Sequence, residues 1–190
     1  GRVRIETPGG REIDFDAIEA NNIANADANG YVNFGNGYMR RSSMNLHDWY
    51  GVISNLNFDN GGDFTYNVGI DARTYTGTHF RQMANMYGAS GYTDNYRWGS
   101  RPSGFTVTET YPADPWSTFF GNYAPEDQRY AYDYEETINY IGGFGQVEYT
   151  IDRWSTFLQG SLSTQSMQRT GRSDGFDGSA LGTNDKQTFD

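Results

Sequence analysis

The sequence contains no cysteine. This absence excludes disulfide bonds, zinc–thiolate sites and catalytic thiol nucleophiles. Proline is also scarce, at 5 of 190 residues, whereas glycine numbers 24 and aromatic residues make up 16% of the chain. A composition rich in glycine, tyrosine and asparagine is typical of strands joined by long turns. We therefore expect an all-β chain.

Charge is sparse and almost free of lysine. Charged residues make up only 20% of the chain, the net charge is −10, and Lys186 is the single lysine beside thirteen arginines. An acidic chain lacks the basic surface that nucleic-acid binding requires. We therefore predict that nucleic acid is not a partner.

The sequence also lacks an apolar run of about 20 residues, so it contains no transmembrane helix. Strands of a membrane barrel are only half apolar, so the lack of such a run does not exclude a β-barrel membrane protein. The chain opens at Gly1 without a signal peptide and ends in "KQTFD". We expect it to be part of a longer protein.

Hydrophobic alternation predicts two long β-hairpins. "DNGGD", residues 59–63, is a strong turn signal inside the first hairpin, at residues 46–80. The pair Asp152-Arg153 is the predicted tight turn of the second hairpin, at residues 137–169. Together the hairpins predict an antiparallel, long-stranded meander.

Three longer connections flank these hairpins. Residues 1–45 are expected to be mostly irregular, with a short helix from Phe15 to Ala24 capped by Asp14. Residues 81–136 hold no sustained period and are predicted to form a long loop. Residues 170–190 are predicted to begin another glycine-rich loop.

Alternation gives each strand one apolar and one polar face. The apolar positions of one strand are Phe64, Tyr66, Val68 and Ile70. The predicted polar face of the sheet carries Asn67, Asp71, Arg73, Gln146 and Glu148. A soluble sandwich would bury the apolar face in its own core, and a membrane barrel would turn it to lipid with the polar face on the lumen. The alternation alone does not distinguish the two.

Three further observations fit a barrel. Short turns lie at one end of the hairpins and long connections at the other, as in outer-membrane barrels. Aromatic residues flank the short turns, namely Phe58, Phe64, Tyr149 and Trp154. The alternating strand is long enough, since about 27 Å of chain tilted by about 40° spans on the order of 20 Å of bilayer.

Two stretches of the chain resemble a known family. The first has an S-x-N-x-H-x-W-Y-G entry at Ser43–Gly51, a G-x-D-x-R strand at Gly69–Arg73 and "YTGTHFR" from Tyr75. The second is "GGFGQVEYTIDRWSTFLQGSLSTQSMQR", residues 142–169, with its F-x-Q-x-E-Y pattern. Together they cover roughly residues 40–170. They resemble barrel segments of TonB-dependent outer-membrane receptors of the Bacteroidetes type.

The resemblance implies part of a transmembrane β-barrel wall in the outer membrane of a Gram-negative bacterium. It implies that residues 1–45 and 81–136 are extracellular loop regions and that residues 170–190 begin the next extracellular loop. It implies uptake of a scarce ligand (a siderophore, cobalamin, oligosaccharide or peptide) without enzymatic activity or a cofactor. Implied partners are outer-membrane lipid, the rest of the barrel, a plug domain and the TonB complex. Whether a surface lipoprotein is a further partner is left open. No plug motif occurs here, and about four strands are too few to close a barrel, so the plug and remaining strands are expected outside this chain.

Residues that could contact a ligand lie in the predicted 81–136 loop. Its aromatic side chains could stack on sugars, peptides or siderophore rings, and the candidates are Tyr96, Trp98, Trp116, Phe120 and Tyr123. The alternative is that these rings pack against one another. For Asp71 and Arg73 we expect pairing with lumen or plug partners rather than direct contact with substrate.

Metal and catalytic sites find little support. The Asp- and Gly-rich segments around Asp27, Asp174, Asp177 and Asp185 predict turns rather than a calcium site, because no EF-hand spacing occurs. His47 and His79 lack a metal-binding spacing. Glu135 and Glu136 are adjacent, so on a strand they point to opposite faces and disfavour an acid–base pair.

Three rival functions stay open. The chain could be a soluble β-sandwich that binds glycans through its loop aromatics. It could belong to a receptor-like barrel that serves as a scaffold in an outer-membrane complex. It could also be a glycoside hydrolase on a β scaffold, with Glu135 and Glu136 as the residues to test.

Overall fold

The computed structural model describes residues 4–95, 105–172, 182–183 and 186–190. Strands make up most of these residues. In chain order the elements are β1 (Arg4–Thr7), β2 (Gly10–Ile13), α1 (Phe15–Asn25), β3 (Tyr31–Asn33), β4 (Arg40–Asp59), β5 (Phe64–Asn85), β6 (Gly91–Asp94), β7 (Phe105–Val107), α2 (Pro115–Phe119), a 3₁₀ turn (Glu126–Gln128), β8 (Tyr130–Ile151), β9 (Trp154–Gly171), β10 (Gly182–Thr183) and β11 (Gln187–Phe189).

The predicted all-β class with long antiparallel strands is confirmed. Four strands of 18 to 22 residues lie side by side in the order β9-β8-β5-β4, with β10 and β11 as short neighbours of β9. The two predicted short turns are present, since four residues separate β4 from β5 and Asp152-Arg153 separates β8 from β9. These strands are far longer than the usual five or six residues of a soluble strand.

Both hairpins extend further from their short turns than predicted. The first hairpin runs over residues 40–85 rather than 46–80, and the second over 130–171 rather than 137–169. The reason is burial: Phe80, Gln82 and Met83 are all buried, so the alternation of apolar and polar residues stops while strand pairing continues. The region predicted as one loop, 81–136, therefore begins and ends inside strands and also contains β6, β7 and α2.

The first 45 residues are more regular than predicted. The helix is confirmed, because α1 begins at Phe15 and the Ala17 N–H donates to Asp14 Oδ1 at 2.9 Å. The expectation of irregular structure elsewhere was wrong, since β1 and β2 form an antiparallel pair around Pro8-Gly9. In addition, β3 pairs in parallel with β6, a partner about sixty residues away that local pattern does not reveal.

The chain divides into two compact units, which we name by their packing. The packed unit comprises Gly1–Asn45, Thr78–Tyr134 and Gly171–Gly182. The sheet unit comprises Leu46–Gly77, Glu135–Thr170 and Thr183–Asp190.

The packed unit has a hydrophobic core. A three-stranded sheet in the order β3-β6-β7 places Val32 opposite Tyr92 and Tyr92 opposite Val107, so one buried row crosses all three strands. Met83, Met86 and Tyr130 pack into the same cluster. The Tyr92 and Tyr130 rings meet edge to face at 5.5 Å, an arrangement that aromatic pairs favour.

A buried asparagine links α1 to neighbouring backbone by hydrogen bonds. The Asn22 side chain is fully buried; its Nδ2 donates to the carbonyls of Tyr38 at 2.7 Å and Met86 at 2.9 Å. Its Oδ1 accepts the Tyr38 N–H at 2.8 Å. Because a buried amide without partners is costly, these bonds specify one position for the helix.

The packed unit also buries charge, and the charges are paired. Arg129 Nη1 lies 3.2 Å from Asp133 Oδ1, and Arg172 Nη1 lies 3.6 Å from the same oxygen. The Arg129 guanidinium also lies 4.0 Å from the centre of the Phe80 ring and donates through Nε to the Ala124 carbonyl. Removal of one partner would leave a buried charge uncompensated.

Candidate ligand site on the polar face of the sheet

The apolar face of the sheet unit is exposed. Phe64, Tyr66, Val68 and Ile70 alternate along β5 and are each 43% to 53% exposed. The Phe64 and Tyr149 rings lie 4.7 Å apart, which places the apolar positions of β5 and β8 on one face. The strands β4 and β9 add further exposed apolar side chains, among them Val52, Leu56, Phe58, Leu158 and Leu162.

The opposite face carries a pocket of about 480 Å³. Its lining comes from all four long strands and consists of Trp49, Asp71, Arg73, Tyr75, Ile138, Tyr140 and Gln165. Along each strand these residues alternate with the apolar ones. The polar faces of the four strands therefore lie on the same side of the sheet. Of the predicted polar residues, Asp71 and Arg73 line this pocket.

Asp71 and Arg73 pair with each other. Arg73 Nε donates to Asp71 Oδ1 at 2.7 Å, and Arg73 Nη2 contacts Asp71 Oδ2. The two residues are two positions apart on β5, so their side chains point to the same face. Each therefore has a partner within its own strand, and the expected contacts with a plug stay a prediction.

Two aromatic rings flank the arginine. The Arg73 guanidinium carbon lies 5.9 Å from the centre of the Trp49 ring and 5.7 Å from that of Tyr140. Trp49 comes from β4 and Tyr140 from β8, the two neighbours of β5. Cation–π attraction at such distances is worth about 0.5–1 kcal/mol at exposed sites, so the arginine is held from both sides.

A phenol and an amide complete the polar lining. The Tyr75 hydroxyl hydrogen-bonds with His47 Nδ1 at 2.7 Å, and the two rings stack at 5.7 Å. Gln165 reaches the pocket from β9. The pocket thus combines one internally neutralised ion pair, two aromatic surfaces and uncharged hydrogen-bonding groups.

The other predicted polar residues lie nearer the short turns. Asn67 and Gln146 line a second depression of about 460 Å³ together with Gln159. The Asn67 amide donates to Asn55 Oδ1 at 3.1 Å. Glu148 accepts a hydrogen bond from the Ser155 hydroxyl and contributes to neither depression.

A glycine on this face makes room for a ring. A Cβ added to Gly69 would lie 2.1 Å from Cζ of Phe144, so Phe144 covers the glycine directly. Sequence reasoning missed Tyr140 and Phe144 as members of the polar face because they are aromatic. Their positions in the sequence could have identified them, because they alternate with the exposed apolar residues of the same strand.

The loop aromatics separate into exposed and packed residues. Trp116 and Phe120 are 73% and 78% exposed, and Phe119 meets both rings edge to face. Asp114 caps α2 by accepting the Ser117 N–H at 2.8 Å, and this backbone hydrogen bond lowers the pKa of Asp114. Tyr123 instead packs against the buried Phe80, and the remaining two candidates, Tyr96 and Trp98, lie outside the described residues.

Among the residues that the structure describes, no group of three or more histidine or carboxylate side chains could hold a metal ion. Asp27 Oδ1 accepts the N–H groups of Asn29 and Tyr31, which makes an ordinary turn. His79 Nδ1 hydrogen-bonds with Asn45 at 2.6 Å. The other three aspartates of the calcium hypothesis, namely Asp174, Asp177 and Asp185, lie outside the described residues.

Glu135 and Glu136 do not converge on a shared site. They are consecutive residues of β8, so their side chains leave the strand in opposite directions. Glu136 lies 3.8 Å from Arg169.

No protein-family model, curated protein or solved structure matches this chain. Within the described ranges, no helix is long and apolar enough to cross a bilayer. The evidence on function therefore comes from the two faces of the sheet unit and from the strand motifs noted in the sequence.

Proposed function

We propose that this chain forms part of the barrel wall of a TonB-dependent outer-membrane receptor, which takes up a scarce ligand without covalent chemistry. Its apolar face contacts lipid and its polar face lines the lumen. The long connections, including the exposed aromatic residues beside α2, lie on the extracellular side and contribute to ligand access.

One observation carries the proposal, namely the exposed apolar face of the four long strands. Leu158 and Leu162 are 74% and 87% exposed, and Val52 and Phe58 are 60% and 55% exposed. Burial of one such side chain stabilises a protein by about 1.5–3 kcal/mol. Water-soluble monomers rarely leave a contiguous apolar patch larger than a few hundred Å² exposed, and lipid is a solvent that such a face fits.

The polar face supports the same arrangement. The side chains that line the two depressions of this face are mostly polar, and they include Asn67, Gln146, Gln159, Ser161 and Gln165 beside the ion pair of Asp71 and Arg73. In outer-membrane barrels the lumen side is polar and the lipid side apolar, with strict alternation. A soluble β-sandwich would need a second sheet over the apolar face, and in the described part of the chain these side chains are exposed.

The strand count limits the role of this chain to a section of wall. Four long strands cannot close a membrane barrel, whose smallest form has about eight. Unpaired strand edges in hydrocarbon cost several kcal/mol per backbone group. Among the described residues, β4 is the last strand of the sheet, so its outer edge pairs with a further strand of the barrel.

Membrane fractionation tests the proposal. We expect the full-length protein to sediment with outer membranes, to resist extraction by salt and alkali, and to dissolve only in detergent. Recovery as a folded protein in the soluble fraction would contradict it. Transport is then separated from a scaffold role by inactivation of the TonB complex, which should abolish energised ligand uptake and leave a scaffold function intact.

A further inference from the structure

The pocket on the polar face holds a cation that is already neutralised. Arg73 directs Nε and Nη2 at the two carboxylate oxygens of Asp71. The remaining lining residues are the uncharged Trp49, Tyr75, Ile138, Tyr140 and Gln165. The pocket lining therefore has no net charge, although it contains an arginine.

This balance determines which ligands gain from binding. An anionic ligand would have to compete with Asp71 for Arg73, and a cationic ligand would have to compete with Arg73 for Asp71. An uncharged ring with polar edges meets no such competition. Its C–H face can lie on the Trp49 ring, which is 64% exposed, while its hydroxyls reach the Gln165 amide and the Tyr75 phenol.

Size is consistent with such a ligand. Small-molecule sites in proteins span roughly 300–1,000 Å³, and this pocket measures about 480 Å³. The pocket is also an open depression across four strands, so a longer chain of rings could extend along the face toward the second depression at Asn67 and Gln159.

We propose that this pocket is a subsite for an uncharged, hydroxyl-rich ring such as a neutral sugar unit, and that Asp71 determines this preference by neutralising Arg73. The inference rests on the proposed function, because the polar face lies on a ligand's route only if it lines a lumen. Asp71 acts here through Arg73 and is a positioning residue that sets specificity.

The specific consequence concerns charge selectivity. Asp71→Asn keeps the shape of the side chain but releases Arg73 as a free guanidinium between two rings. Guanidinium groups bind carboxylates through two parallel hydrogen bonds. The variant should therefore gain affinity for an acidic sugar, while the neutral sugar keeps its contacts with Trp49 and Gln165.

The test is a set of calorimetric titrations on the full-length protein in detergent. The probes are neutral hexaoses of glucose, mannose and xylose, together with hexagalacturonate. We expect the parent protein to bind at least one neutral hexaose, and hexagalacturonate at least tenfold more weakly. Asp71→Asn should tighten hexagalacturonate binding at least tenfold and change neutral binding less than threefold.

Glu148→Gln is the matched control. It removes one carboxylate from the same face, but Glu148 lies outside the pocket lining. We expect it to alter hexagalacturonate binding less than twofold. An equal gain in Asp71→Asn and Glu148→Gln would show a general charge effect and overturn the proposed role of Asp71.

A second variant keeps the proposal testable if Asp71→Asn fails to fold. Trp49→Leu removes the exposed ring, and we expect it to weaken neutral hexaose binding at least tenfold. Unchanged binding in that variant, or a parent protein that binds none of the neutral hexaoses, would overturn the subsite.

Failure here is distinguishable from failure of the proposed function. A protein that fractionates with the outer membrane and binds no neutral sugar overturns the subsite alone. A soluble protein that binds a neutral hexaose through Trp49 overturns the barrel and retains the pocket chemistry.

Discussion

In the packed unit, Phe80, Met83 and Val107 are completely buried, whereas in the sheet unit Val68 and Leu162 are 45% and 87% exposed. Both units are built from the same long strands and the same residue types. The packed unit behaves as a water-soluble protein does, with a closed core, paired buried charges and a capped helix. In the described part of the sheet unit, apolar and polar residues alternate with few exceptions, such as Ser54 and Phe157, and none of the large apolar side chains is buried. This arrangement is the one expected if lipid is the apolar solvent, as proposed.

The contrast teaches that burial must be assessed region by region. Apolar side chains in the packed unit gain their stabilisation from one another. The exposed apolar side chains of the sheet unit can gain such stabilisation only from atoms other than those of the described residues. Comparable substitutions in the two units should therefore change stability by different amounts.

The largest expected effect is in the packed core. Met83→Ala removes a completely buried side chain and should lower the free energy of unfolding by about 2–5 kcal/mol. If lipid covers this face, as proposed, the matched change in the sheet unit, Leu162→Ala, should alter it by less than about 0.5 kcal/mol, because lipid fills the space. Guanidinium unfolding in detergent measures both. A large loss in Leu162→Ala would mean that protein rather than lipid covers that side chain.

The second effect separates the two faces of β5. Val68→Arg places a charge on the apolar face and should lower the stability of the inserted protein by about 2–4 kcal/mol if the position is near the bilayer midplane. Asn67→Arg, one residue earlier on the polar face, should change it far less. Urea titration of the protein refolded into lipid vesicles measures the difference. Equal effects at the two positions would remove the distinction between the faces.

The third effect is confined to the packed unit and concerns alkaline pH. Burial raises the pKa of Tyr130 to about 12, against about 10 when the chain is unfolded. The folded state therefore holds the phenolic proton more tightly, and this stability is complete below pH 10 and declines as pH rises toward 12. At about 1.4 kcal/mol for each pKa unit, the loss approaches roughly 2–3 kcal/mol.

Tyr130→Phe should reduce that alkaline decline, because phenylalanine has no phenolic proton to lose as the pH rises. Thermal unfolding between pH 8 and pH 11.5 tests this expectation. A variant as sensitive to alkali as the parent would assign the decline to other groups. Burial also raises the pKa of Tyr92, so some decline should persist in the variant.

Local signals in the sequence predicted the local features of the fold. The Asp14 cap identified the start of α1, and the alternation from Phe64 to Gly77 identified the direction of each side chain. The turn residues at 59–63 and Asp152-Arg153 located both hairpin ends. Each of these depends on neighbours in sequence, where steric and hydrogen-bonding rules are strongest.

Features that depend on distant partners could not be predicted in this way. The strand β5 continues to Asn85, but near its end Phe80 and Gln82 are buried on one face and Met83 on the other. With burial on both faces, the sequence no longer alternates between apolar and polar residues. The parallel pairing of β3 with β6 joins segments about sixty residues apart. The pocket required the neighbour order β4-β5-β8, because only that order places Trp49 and Tyr140 on either side of Arg73.

The central claim is that lipid covers the apolar face of the sheet unit. Because these 190 residues contain no cysteine, single cysteines can be placed at positions 65, 66, 67, 68 and 70 of the full-length protein, with any cysteine elsewhere in it replaced by serine. Each can then carry a nitroxide label on the protein in a bilayer. We predict that labels at 66, 68 and 70 collide preferentially with dissolved oxygen, and those at 65 and 67 with a water-soluble nickel chelate. Labels at 66, 68 and 70 that are shielded from both reagents, or open to the chelate, would contradict the account.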